Sequence, residues 1–211
     1  MAQFCYARLH KKKVAILFLD DETGRGYKTS FERALRQLGG EVVAAESYLK
    51  DATDLRPHLT KLKAANPEAI YAPSIPRTMG IMLRQARELG IDAVFMGNYG
   101  IEGRDLLTTA GDAANGVYYT SVPIEQAFIN RYSARYGKSP TIGAPLGYDV
   151  LRIISDAMRV GGTSSDGIAS ALRSKRGFDG VTGKIVFDAK GDAVRVIIVK
   201  TVQDGRFVVA R

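Results

Sequence analysis

Apolar runs alternating with amphipathic helical stretches constrain this chain more than any other feature. Val14-Ala15-Ile16-Leu17-Phe18-Leu19 is apolar at every position and ends at Asp20-Asp21. A strand that hides one face alternates, whereas a strand apolar throughout hides both. Shorter runs follow within 41–46, around Val42-Val43-Ala44-Ala45, at Ala69-Ile70-Tyr71-Ala72, at Ala93-Val94-Phe95-Met96 and within 116–121. The segments between them carry helical stripes. Phe31, Ala34, Leu35 and Leu38 form one that stops at Gly39-Gly40. Leu55, Leu59 and Leu62 form another, starting near Thr53 or Asp54 and closed by Asn66-Pro67. Met79, Met82, Leu83, Ala86 and Leu89 form a third, ending at Gly90. Strands alternating with helices of this length predict an α/β fold: five parallel strands over 13–121 in flavodoxin-like order, with right-handed crossovers.

The pattern changes after Val122. Helices are expected at about 125–137 and 146–160, joined by Gly137-Lys138-Ser139-Pro140, with a short one near 166–173. Three short strands follow, at 183–187, 194–202 and 206–209, separated by the turns Lys190-Gly191-Asp192 and Asp204-Gly205. The helix at 146–160 is apolar around most of its circumference, through Leu146, Tyr148, Val150, Leu151, Ile153, Ile154, Ala157, Met158 and Val160. Such a helix asks to be buried on several sides, and no long apolar strand run after Val122 can cover it. The chain is therefore expected either to self-associate through this part or to be a piece of a longer protein.

The chemistry-bearing residues exclude more than they offer. One cysteine in 211 residues leaves no internal disulfide or multi-cysteine metal site, and two histidines make no His-rich centre. Cys5 shares the apolar face of an N-terminal helix with Phe4 and Leu9 and reads as a buried, inert thiol. The net charge of +8 is spread beside acidic residues, apart from Lys11-Lys12-Lys13, so a nucleic-acid groove is not indicated. No apolar run approaches the length of a membrane span. Gly24-Arg25-Gly26 follows a strand and opens a helix, but a dinucleotide turn would need a third glycine where Phe31 and Glu32 stand. Asp20-Asp21-Glu22 lacks the acid after the third strand that receiver chemistry wants, and reads as a polar cap for the next helix. Ser74 and Ser121 lie outside any nucleophile elbow. What remains is the loop set at the carboxyl ends of the parallel strands, 21–24, 74–77 and 97–100, where open α/β sheets bind ligands. That set argues for binding a small polar solute and gives no evidence for catalysis; no enzyme activity, cofactor or metal is expected.

Several blocks make the chain resemble the branched-chain amino acid (Leu/Ile/Val) type of ABC-transporter solute-binding protein. They are Lys12-Lys13-Val14-Ala15-Ile16-Leu17 leading into Gly24-Arg25-Gly26, Leu62-Lys63-Ala64-Ala65-Asn66-Pro67-Glu68-Ala69-Ile70, and Met82-Leu83-Arg84-Gln85-Ala86-Arg87-Glu88-Leu89-Gly90. Leu146-Gly147-Tyr148-Asp149 and the run from Gly177 to Asp188 complete the set. The resemblance implies a type I periplasmic binding protein fold, a clamshell of two α/β lobes that traps its solute. It implies that residues 1–121 are lobe 2, with 199–211 returning to it. Residues 122–198 would be the C-terminal part of lobe 1 and hinge, the N-terminal part of lobe 1 being absent. It further implies a periplasmic location, with the export signal outside this chain, and ABC permease subunits as partners. An effector-sensing domain of a regulator or receptor uses the same clamshell and is the alternative.

Residue by residue, the ligand positions carried over are Thr23, where the family has an aromatic before the Gly-x-Gly turn, and Ile75 or Pro76, where it has one after the third strand. Tyr99 stands where the family has an acid for the ligand's ammonium, and Glu102 is the acid a shifted loop would bring there. The expected ligand-binding set is thus Thr23, Ser74, Ile75, Asn98 and Tyr99, all uncharged. An uncharged set points to a small carboxylate or aromatic acid in preference to leucine, isoleucine or valine.

Overall fold

The computed structural model describes residues 1–174 and 177–210, which fall into two compact units: Met1–Ser121 with Val199–Arg211, and Val122–Ile198. No helix among the described residues is long and apolar enough to cross a membrane.

The first unit is built on a seven-stranded sheet. Strands β1 (Lys13–Leu19), β2 (Glu41–Tyr48), β3 (Ala69–Tyr71), β4 (Val94–Gly97) and β5 (Tyr118–Ser121) lie in the order β2-β1-β3-β4-β5, and every neighbouring pair is parallel. This is the flavodoxin-like order expected from the sequence. The continuous apolar run of β1 is explained by what covers it. Val14 and Ile16 join Phe31, Leu35, Tyr71 and Met96 under α1 (Ala2–Ala7) and α2 (Glu22–Gln37). Ala15 and Leu17 join Leu59, Leu62, Ile70, Met79 and Met82 on the other face, under α3 (Arg56–Ala64), α4 (Pro76–Glu88) and α5 (Arg104–Ala110). Each face thus takes alternate residues of one strand. Cys5 of α1 is fully buried, and burial pushes its thiol up to about 11, consistent with an inert packing residue.

The chain leaves the sheet after β5 and returns to it as β9 (Ile198–Gln203) and β10 (Arg206–Val209), which extend the β5 edge. These two form an antiparallel hairpin in which Gln203 faces Arg206 across Asp204-Gly205, both at positive φ (49° and 68°). That backbone suits the twist of a two-residue hairpin.

The second unit comprises α6 (Gln126–Tyr136), α7 (Gly143–Gly161), α8 (Ser165–Ser174) and a small antiparallel sheet of β6 (Phe178–Gly180), β7 (Gly183–Phe187) and β8 (Ala193–Arg195). The expected single strand 194–202 is two strands. Val196 and Ile197 interrupt it, so β8 pairs with β7 while β9 joins the large sheet. Strand β6 is too short, and too rich in Gly and Asp, to announce itself in the sequence. Helix α7 begins three residues earlier than expected and buries Pro145, Asp149, Ile153 and Ala157. Tyr148, Val150, Leu151, Ile154, Met158 and Val160 stay exposed, Leu151 and Val160 by 71% and 80%.

Buried Asp149 explains why two distant sequence blocks go together. Its carboxylate accepts from the backbone N–H of Val181 (2.8 Å) and Thr182 (2.9 Å) and from the Thr182 hydroxyl (2.5 Å). These three donors satisfy a side chain that burial would otherwise leave without partners. Gly180 is required beside it, since a Cβ there would lie 2.4 Å from Asp149 Oδ2.

Candidate functional site at the carboxyl edge of the sheet

In the first unit the carboxyl ends of β1 to β4 surround a cavity of about 350 Å³. The end of β1 and the start of α2 supply Leu19, Asp21, Thr23, Gly24 and Tyr27. The end of β2 and the residues beyond it supply Tyr48 and Lys50. Pro73, Ser74, Ile75 and Thr78 come from the β3–α4 connection, and Asn98, Tyr99 and Gly100 follow β4. Thr23, Ser74, Ile75, Asn98 and Tyr99 all line this one cavity.

Local structure fixes the walls. Asp21 caps α2, its Oδ1 accepting from Gly24 N at 2.6 Å. The Gly-x-Gly segment is therefore no free loop, since it lies inside the first turns of the helix. Gly24 meets a close approach: a Cβ there would sit 2.0 Å from the Leu19 carbonyl oxygen. Asn98 is buried and accepts from Ser74 N at 3.2 Å, tying the β3 loop to the β4 loop. The Ser74 hydroxyl is buried with no hydrogen-bond partner among the described residues, a state that a polar ligand would relieve. Burial, and then the nearby Asp21 carboxylate, pushes the Tyr48 phenol up to about 12, so it stays a neutral donor. Ile75 and Tyr99 are 63% and 47% exposed and form an apolar rim.

The lining also holds two charged residues outside the expected set, Asp21 and Lys50. The cavity is therefore not uncharged, and the reason for disfavouring an α-amino acid is removed. The signal for Asp21 is its place as the N-cap of α2, just past the end of β1. Lys50 carried none, because a lysine two residues beyond a strand is ordinary surface sequence. Glu102, by contrast, does not line the cavity. It pairs with Lys200 of β9, whose ammonium also lies 5.9 Å from the Tyr119 ring centre and 6.0 Å from that of Phe207. Burial, followed by the adjacent Glu102, drives the Tyr119 phenol far above its ordinary range.

Comparison with known proteins gives the family. The sequence profile described as "Periplasmic binding protein" matches residues 1–206. The chain is 28% identical over 197 residues to the leucine-, isoleucine-, valine-, threonine- and alanine-binding protein of Pseudomonas aeruginosa, covering 90% of this chain and 52% of that one. It is 28% identical over 186 residues to Leu/Ile/Val-binding protein homolog 2 of Brucella abortus, covering 85% and 50%. Among solved structures, the leucine-binding protein LivK of Thermotoga maritima superposes with a TM-score of 0.88 at 27% identity, over all of this chain and 63% of that one. The branched-chain amino acid transporter substrate-binding protein LivJ of Streptococcus pneumoniae, solved with isoleucine, gives 0.83 at 29%, over 99% and 63%. The chain spans about half the length of these curated relatives. With the profile running along nearly its whole length, this chain belongs to the periplasmic binding protein family.

Proposed function

We propose that the first unit is the solute-binding lobe of an ABC importer's binding protein, and that the cavity at its carboxyl edge takes a small polar solute of the amino acid or related carboxylate class. The observation that carries this is the cavity itself, about 350 Å³ at the ends of four parallel strands, with the buried Ser74 hydroxyl left unpartnered. Open α/β sheets bind ligands there, and a mostly apolar pocket with a few convergent polar groups is what a small solute needs. Relatives named for binding leucine, isoleucine and valine support the class. In this reading residues 1–121 with 199–211 are lobe 2, and 122–198 belong to the C-terminal part of lobe 1 and the hinge. The protein works in the periplasm, hands its solute to ABC permease subunits and catalyses no reaction.

The test is a titration of the chain with a panel of α-amino acids and simple carboxylates, followed by amide NMR. Saturable shifts at Gly24, Ser74, Asn98 and Gly100 are expected for at least one member. A panel that moves none of these amides up to 10 mM ligand, a working ceiling set about tenfold above a millimolar dissociation constant, overturns the assignment.

A further inference from the structure

Resting on that reading of the cavity, we propose that Asp21 and Lys50 are the residues that read the ligand's charge, seating its ionic head at the β1–β2 end of the cavity and its apolar body toward Ile75 and Tyr99. The lining is polarised. All its residues beyond β3 and β4 are uncharged, and among the described residues its only ionic groups are Asp21 and Lys50. Those two stand at matching offsets, since Leu19 and Tyr48 are partners in the β1–β2 register and each charged residue lies two positions further on. Adjacent strands are about 4.8 Å apart, so both loops open onto the same end of the cavity.

Competing partners have been removed from around them. Of the three acids that follow β1, Asp20 is neutralised by Arg25 at 2.7 Å. Asp21 spends Oδ1 on the α2 cap and has no cationic partner among the described residues. Lys50 has no carboxylate partner among them either, and no ion pair joins it to Asp21. Glu102, the acid nearest the β4 end, is engaged by Lys200 outside the lining. An ammonium entering the cavity therefore meets Asp21, and a carboxylate meets Lys50, with the Ser74 and Tyr48 hydroxyls able to add hydrogen bonds.

The experiment uses the chain and two matched probe sets: leucine, 4-methylpentanoate and 3-methylbutylamine; then phenylalanine, 3-phenylpropanoate and 2-phenylethylamine. Each set keeps one apolar body and removes either the ammonium or the carboxylate. In the wild type at least one amino acid is expected to bind about tenfold or more tightly than both of its truncated analogues. In Asp21→Asn, which retains an equally good cap, the preference for amino acid over carboxylate collapses toward unity. In Lys50→Gln the preference for amino acid over amine does the same. Ratios unchanged in both variants, with the cavity amides still shifting, overturn the charge assignment and leave the cavity as the solute site. Failure of all six probes to move the cavity amides overturns both.

Discussion

Asp149 shows how much one side chain can hold. It is 1% exposed and accepts three hydrogen bonds from a single turn of the second unit. Asp149→Ala leaves two backbone donors and a hydroxyl buried without partners, and is expected to destabilise that unit by about 2–4 kcal/mol, read as a lower urea midpoint. Thr182→Val, which removes one of the three donors and keeps the side-chain volume, should lower it by less. Acid sensitivity has its own residue. Glu68 accepts from the backbone N–H of Lys13 and Lys12, each at 2.8 Å, and these bonds hold its carboxyl below the ordinary range. A depressed folded-state pKa contributes stability above the unfolded-state value and loses it as pH falls through the folded-state one. Urea midpoints should therefore decline from about pH 4.3 downward, and Glu68→Gln should flatten part of that decline. The contribution is modest because the group is solvent-exposed.

Helix α7 carries a buried stripe and an exposed apolar face on the same element. Its buried residues follow a helical stripe, while Val150, Leu151, Ile154 and Val160 face water. Exposed apolar surface disfavours the monomer by about 25 cal/mol per Å². The chain is therefore expected to show concentration-dependent association in sedimentation velocity at micromolar concentrations, and Leu151→Gln with Ile154→Gln should shift it to monomer without lowering the urea midpoint. The five parallel strands were legible because burial imposes a period on the sequence, and β1, closed on both sides, shows no polar position from Val14 to Leu19. The site was legible by position only. A topological rule finds the connections after Leu19, Tyr71 and Gly97; Ser74, Ile75, Asn98 and Tyr99 lie in them and Thr23 in the first turn of α2, and all five line the cavity. The charges were hidden, because only the turn of α2 onto Asp21 and the pairing of Glu102 with Lys200 decide which acid faces the cavity. The split of β8 from β9 was hidden too, since Val196 and Ile197 are as apolar as a strand interior.

At the scale of the molecule, the two units differ in how much they bury. The first has two clusters on opposite faces of its sheet, anchored by fully buried Leu17, Leu59, Leu62, Ile70, Met79 and Met82 on one side and by Val14, Ile16 and Leu35 on the other. Among the described residues the second has one small cluster, Ile153, Phe178 and Ile185, with Leu172 and Phe187 packed against it. Local opening follows buried apolar contact, so amides of α7 and α8 are expected to exchange hydrogen well before those of β1, β3 and β4. Equal protection in the two units would contradict this. The route of the chain has a consequence for synthesis. Strand β5 gains β9 as its outer neighbour only after the whole of 122–198 has been made. On the ribosome, the nascent sheet therefore waits with an open parallel edge for as long as that insertion takes to emerge. An open edge is the element most prone to pair with the wrong chain, so slower translation through 122–198 lengthens the interval in which this protein needs a chaperone.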